Sequence, residues 1–235
     1  MNIKAVLFDL DGTLLPMDQD LFIKSYFKGI GKKLAGFGYD GEKAVRTIWT
    51  STMAMINNDG ATSNEELFWK MAQEVGGMSR CDDEPKFNAF YKENFDELKS
   101  TCGYTPKAKQ VVDILYEKGY TLALATNPVF PRIATHKRMH WAGLDTSQFK
   151  LITTYENCRY CKPNPAYYLD IVKEFDMQPT ECLMVGNDVR EDMIAQSLGM
   201  KVFLLTDCLI NRDGKDISEY PNGNLDDLIT FVKNI

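Results

Sequence analysis

The sequence predicts an α/β fold, a parallel sheet with helices on both faces, interrupted after its first strand by an all-helical insertion. Three observations carry this reading. The apolar run "IKAVLFDL" (3–10) has the continuous pattern of a strand buried on both faces of a parallel sheet. From about 17 to 101 the apolar residues recur at helical spacing, one face at a time. From 105 onward short apolar runs alternate with helical stretches, as in a chain of βα units.

The elements follow in order. Phe22, Ile23, Tyr26, Phe27 and Ile30 mark a first helix. Ala44, Val45, Ile48, Trp49, Thr52, Met53 and Ile56 share one helical face and mark a second. Leu67, Phe68, Met71, Ala72 and Val75 mark a third, entered through a capping box of Ser63 with Glu66. Phe87, Phe90, Tyr91, Phe95 and Leu98 suggest a fourth. Thr105-Pro106 is a cap with proline at the first helical position, and Gly119 closes that helix. Then come "YTLALAT" (120–126), a helix from about 131, "FKLITT" (149–154), a helix from about 164, "CLMVG" (182–186), a helix from about 190, and "KVFLL" (201–205). A polar loop over 211–224 precedes a final helix, Leu225 to Val232. The expected organisation is a Rossmann-like α/β core of residues 1–16 and 102–235 with a helical cap of residues 17–101.

Composition narrows the classes of function. A chain of 235 residues, 44% hydrophobic, is long enough to bury a large core. Its 33 Asp and Glu outnumber 27 Lys and Arg, which argues against a nucleic-acid or anionic-membrane surface. A small anionic substrate needs only local positive charge and stays open. The six cysteines, at 81, 102, 158, 161, 182 and 208, lack the density of a secreted disulfide scaffold. The apolar run near the N-terminus is too short for the core of a signal peptide, and no later run approaches a membrane span. A soluble, cytoplasmic setting is the expectation.

Ligands of open α/β sheets bind beyond the carboxyl ends of the strands, and the residues there are polar in an informative way. The first strand ends in Asp9 and Asp11, the second in Thr126-Asn127. After the third comes "CRYCKPNP" with Lys162, and the fourth ends in "GNDVRED" with Asn187, Asp188 and Asp192. Acids, a hydroxyl and a cation delivered to one edge suit phosphoryl transfer through an aspartyl-phosphate. One carboxylate attacks phosphorus, and a Mg²⁺ ion lets like charges approach. A lysine and a hydroxyl cover the phosphoryl oxygens, and a second carboxylate protonates the leaving alkoxide and later activates water. Two aspartates two apart on extended chain face the same way.

"FDLDGTLL", "ALATNP", "CKPNP" and "VGNDVREDM" resemble the four ordered motifs of the haloacid dehalogenase-like hydrolase superfamily. The resemblance covers about 1–16 and 105–207, while the helical insertion is similar to the family's cap only in position and helicity. Carried over, it implies Asp9 as nucleophile and Asp11 as general acid/base, with Asp11 also lending its backbone carbonyl to Mg²⁺. Thr126, with Asn127 beside it, and Lys162 would bind the phosphoryl group. Asp9, Asp11 and Asp188 would hold the metal, with Asp192 a direct or indirect partner. The implied substrate is a small phosphorylated metabolite. Two departures stand out. The fourth motif reads Gly186-Asn187-Asp188 in place of Gly-Asp, and Arg159-Tyr160-Cys161 replaces a glycine often found before the lysine.

Each motif alone has an ordinary structural reading. Asp9 and Asp11 suit an Asp-Gly turn, Thr126-Asn127 a helix cap, Lys162 a surface lysine, and Asp188 and Asp192 the first turn of a helix. Their order along the chain favours the active-site reading. The CxxC of Cys158 and Cys161 has no second pair at ligand spacing, and His136 and His140 lack a third ligand. Within the superfamily, Asp11 argues for phosphate chemistry over dehalogenation, while a phosphomutase shares the motifs. A phosphoreceiver domain is shorter and has no place for the helical insertion. A catalytically silent binding protein is the remaining alternative.

Overall fold

The N-terminal apolar run forms the middle of a six-stranded parallel sheet in a computed structural model that describes residues 3–235. The strands are β1 (Ala5–Phe8), β2 (Thr121–Leu124), β3 (Leu151–Ile152), β4 (Cys182–Gly186), β5 (Lys201–Leu205) and β6 (Asn222–Gly223), in the order β3-β2-β1-β4-β5-β6. Alternate side chains of each strand feed opposite layers. Val6, Phe8, Leu122, Leu124, Leu183 and Val185 join one buried cluster with Val111, Val112, Leu115, Leu228 and Val232, which come from α5 (Pro106–Glu117) and α8 (Leu225–Lys233). Ala5, Leu7, Ala123, Met184, Val202 and Leu204 join the other with Tyr167, Tyr168, Ile171 and Val172 from α7 (Pro165–Glu174). Helices therefore cover both faces, as the continuous apolar strands require.

Between β1 and α5 the chain forms α1 (Gln19–Gly36), α2 (Gly41–Ile56), α3 (Asn64–Gly76) and α4 (Arg80–Glu93). The α3 capping box forms as predicted, the Ser63 side chain accepting from the Glu66 amide while the Glu66 carboxylate accepts from the Ser63 amide. The aromatic stripes face inward. Phe22, Tyr26, Phe68, Trp69, Phe87, Phe90 and Phe95 are buried in one cluster that continues into the first layer of the sheet. Phe95 and Leu98 do not extend α4, because the helix ends at Asn94 and a 3₁₀ segment, Phe95–Thr101, follows.

Two further differences concern the second half. The short β6, Asn222–Gly223, carries no apolar signal and forms because it lies beside β5. The stretch after β4 is a 3₁₀ segment, Met193–Leu198, in place of the predicted helix. The buried Asp192 side chain ties its start to the sheet edge, and Gly199, at φ +88°, ends it six residues later. The remaining element, α6 (Arg132–Trp141), follows β2. Among the described residues, no helix is long and apolar enough to cross a membrane.

Candidate active site

The strand order runs outward in both directions from β1, so the crevice for a ligand lies beyond its carboxyl end. Register does the assembling. Phe8 pairs with both Leu124 and Val185, so Asp9 leaves the sheet level with Ala125 and Gly186, one residue short of Thr126 and Asn187, and all three polar residues gather at one edge. Lys162 reaches the same place from the loop between β3 and α7, and Asp192 from the turn after β4.

The centre is a buried three-membered ion pair. Lys162 Nζ lies 2.9 Å from Asp9 Oδ1 and 2.6 Å from Asp192 Oδ1, and its side chain is wholly inaccessible. Burial works against the ammonium, but the Asp192 and Asp9 carboxylates outweigh it and hold the lysine pKa well above its ordinary value. Asp192 can fold back against the strand end only because residue 186 is glycine. A Cβ there would lie 2.1 Å from Asp192 Oδ2, the oxygen that accepts the Asp188 amide at 2.9 Å.

Thr13 Oγ1 lies 3.0 Å from both Asp9 Oδ2 and Asn187 Oδ1. A hydroxyl has one proton, so two oxygens of different strands converge on a single donor. Asn187 is held there by donating from Nδ2 to the Cys208 carbonyl at 2.6 Å. Gly12 makes room for it: the backbone has φ +86°, and a Cβ would stand 2.3 Å from Asn187 Nδ2. Asp188 points elsewhere, its Oδ1 accepting from the amides of Arg190 and Glu191 at 2.7 and 2.9 Å.

Asp11 has a different partner. Its Oδ2 accepts from Arg138 Nη1, while Asp11 Oδ1 and Arg138 Nε are both buried with no hydrogen-bond partner. Burial raises the Asp11 pKa above the usual carboxylate value, against the pull of Arg138. Thr126 is buried, and its carbonyl accepts from Thr153 Oγ1 at 2.8 Å and Tyr167 Oη at 2.9 Å. Asn127 braces neighbouring loops: its Oδ1 accepts the Lys162 amide at 3.3 Å and its Nδ2 donates to Glu191 Oε2 at 3.0 Å. Burial pushes Glu191 up to about 7, with Lys162 opposing.

The structure thus joins Asp9, Lys162 and Asp192 directly, pairs Asp11 with Arg138, and turns Asp188 onto the amides of the turn that follows it. Arg138 and Thr13 are additions to the residues predicted from sequence, and Asn187, named there without a role, turns its side-chain oxygen inward. A signal for Arg138 was present: it lies on the buried face of α6 with Ala134, Thr135, Met139 and Trp141, where an arginine needs a charge partner.

The helices of residues 19–101 touch these loops. Asn64, at the start of α3, is fully buried, donating from Nδ2 to the Pro128 carbonyl at 3.2 Å and Cys161 Sγ at 3.3 Å. Its amide donates to the Cys158 carbonyl at 2.8 Å. Cys158 and Cys161 are free thiols. Burial pushes Cys158 up to about 12 and raises Cys161 as well, the environment of unreactive cysteines.

Among the described residues, no group of three or more His, Cys, Asp or Glu side chains is arranged as a metal cage. Mg²⁺ does not need one, because it binds through one or two protein oxygens and keeps several waters. The donor set at β1 and β4 fits such an ion. It consists only of oxygens, and those of Asp9 and Asn187 converge on Thr13.

Comparison with known proteins gives the family. The chain is 26% identical over 205 residues to a phosphoglycolate phosphatase of Vibrio vulnificus strain YJ016, covering 87% of this chain and 84% of that protein. It is 24% identical to the pyrophosphatase PpaX of Bacillus mycoides, over 100% of this chain and 99% of that one. A solved structure from Haemophilus somnus 129PT, described as a predicted phosphoglycolate phosphatase, superposes with a TM-score of 0.59 at 22% identity, covering 100% of this chain and 98% of that one. The family model for haloacid dehalogenase-like hydrolases matches residues 3–197, a span that holds all four strand-end motifs. The chain belongs to the haloacid dehalogenase-like hydrolase family.

Proposed function

We propose that the protein is a Mg²⁺-dependent phosphatase that hydrolyses a small phosphomonoester through an aspartyl-phosphate on Asp9. The observation that carries this reading is the buried Lys162 ammonium between the Asp9 and Asp192 carboxylates at the ligand-binding edge of the sheet. A carboxylate held beside a fixed cation is suited to meet a phosphate, since the cation offsets the repulsion between the two anions. The phosphatase names of the curated relatives point the same way.

The steps divide among the side chains. An Asp9 oxygen attacks phosphorus, the bond to the ester oxygen breaks, and that oxygen takes the proton of Asp11. Asp11 then accepts a proton from water as the water oxygen attacks the phosphorus of the aspartyl-phosphate, releasing phosphate and freeing Asp9. Lys162 and the Thr126 hydroxyl neutralise and orient the phosphoryl oxygens. Asp9 and the Asn187 side-chain oxygen would hold the ion, with the Asp11 carbonyl that the family resemblance implies. Asp188 and Asp192 contribute charge from behind, because their carboxylates are committed to backbone amides and to Lys162. When bound, the ion supplies positive charge to the nucleophile and the transferring phosphoryl group.

In this reading residues 17–101 form a cap over the core of 1–16 and 102–235, and cap side chains select the substrate. The test is phosphate release from a panel of phosphomonoesters with Mg²⁺ and with excess EDTA, using Asp9→Asn as the blank. Metal-dependent release that Asp9→Asn abolishes, while the variant keeps its fold, is the expected result. Near wild-type turnover by Asp9→Asn removes Asp9 as nucleophile. Isomerised sugar phosphate without phosphate release would point to a phosphomutase, and silence across the panel to a binding protein.

A further inference from the structure

Among the described residues Arg138 is the largest fully buried side chain, with no accessible surface, and the proposed chemistry gives it no task. Its surroundings leave it one orientation. The guanidinium carbon lies 4.5 Å from the centroid of the Phe130 ring, and Nη2 donates to Thr135 Oγ1 at 3.3 Å. Phe130 in turn meets Tyr26 at 5.1 Å and Phe22 at 6.2 Å, both on α1. Nη1 is left to bond Asp11 Oδ2. The contact is end-on, to one carboxylate oxygen only, and Asp11 Oδ1 stays without a partner.

We infer that Arg138 is a positioning residue for Asp11: it anchors Oδ2 and so fixes the plane of the carboxylate, leaving the buried, unpartnered Oδ1 as the oxygen that carries the proton to the ester oxygen once substrate enters. This inference rests on the general-acid role proposed for Asp11. Asp11 sits in a turn after β1, where a carboxylate on its own could rotate about two side-chain bonds. An arginine locked by a ring, a hydroxyl and complete burial removes that freedom. Because its packing partner Phe130 lies against α1, the same contact links the position of the helical insertion to the orientation of the acid.

The test exploits leaving groups of different basicity. An alkoxide leaving from glycerol 2-phosphate needs a proton, whereas p-nitrophenolate leaves with little help. The readout is kcat/KM, which reports the step that expels the leaving group and not the later hydrolysis of the aspartyl-phosphate common to both esters. The Asp11→Asn variant sets the scale, losing far more of it on the first ester than on the second. For Arg138→Met the expected loss in kcat/KM on glycerol 2-phosphate is roughly 100-fold, the lower end of what general acid catalysis supplies, with a loss under about 5-fold on p-nitrophenyl phosphate. Arg138→Lys retains the charge without the planar fork and falls between wild type and Arg138→Met on the alkyl ester, which also serves if the methionine variant does not fold. The double variant Asp11→Asn, Arg138→Met should match Asp11→Asn alone on that ester, because the arginine acts only through the lost carboxylate.

Equal losses on both esters in the Arg138 variants, or a double variant lower than Asp11→Asn by the full Arg138→Met factor, would assign Arg138 to packing alone and overturn the inference. Equal losses on both esters in Asp11→Asn would remove the general-acid reading beneath it.

Discussion

Removing the Lys162 charge should destabilise the fold as well as silence the site. Lys162→Met preserves the length of the side chain and takes away the ammonium shared by Asp9 and Asp192. The structure sets the scale. Two charged hydrogen bonds of 2.9 and 2.6 Å are lost, and Asp192, whose side chain is 1% accessible, keeps only the Asp188 amide as a donor to its carboxylate. Breaking a buried pair by removing one partner costs about 3–5 kcal/mol, because the other charge stays buried without compensation. For a chain of this length each kcal/mol lowers Tm by about 2–4 °C, so the variant should melt roughly 6–20 °C below wild type. Thermal unfolding followed by circular dichroism, without metal, reads this directly. The double variant Lys162→Met, Asp192→Asn should regain a large part of the loss, since the more deeply buried of the two uncompensated carboxylates is gone. A single variant melting within about 2 °C of wild type, less than 1 kcal/mol on the same scale, would refute the reasoning. So would a double variant whose loss is the sum of the two singles, because coupled partners do not add.

Three further variants follow from the geometry. Asn187→Asp should tighten Mg²⁺ by roughly 5–10-fold, since ligand charge tunes affinity for hard cations, whereas Asp188→Asn should change it by less than about 2-fold on the same argument. Calorimetric titration with Mg²⁺ checks both, and a larger effect at Asp188 would reverse the assignment. Asn64→Ala removes the side chain that ties α3 to Pro128 and Cys161. It should cost about 1–3 kcal/mol in a urea unfolding curve, the penalty for leaving buried groups unsatisfied, and raise KM more than it lowers kcat.

Much of this architecture was legible because its signals are local. The order of strands and helices follows from apolar periodicity, and the start of α3 from Ser63 and Glu66. Where local signals fail, the cause lies elsewhere in the chain. Phe95 and Leu98 keep an apolar helical spacing, yet α4 stops at Asn94. Phe95 stacks on Trp141 at 5.2 Å, a contact on α6 that periodicity within α4 does not contain. The segment after Asp192 has the composition of a helix, but its first side chain is claimed by Lys162.

The sequence by itself determined the fold class and the inventory at the sheet edge: two aspartates after β1, a threonine after β2, a lysine after β3 and a cluster of acids after β4. Strand ends and turns are written in neighbouring residues, so their polar contents can be read in order. Only the tertiary structure decided which oxygen meets which cation. Arg138 reaches Asp11 from a helix that follows β2, through an aromatic layer shared with α1. Asn187, and not Asp188, turns toward Thr13, because its Nδ2 is held by the Cys208 carbonyl while the Asp188 carboxylate accepts the Arg190 and Glu191 amides. Thr13 and Cys208 belong to segments far from Asn187 in the chain, so no local pattern contains that choice.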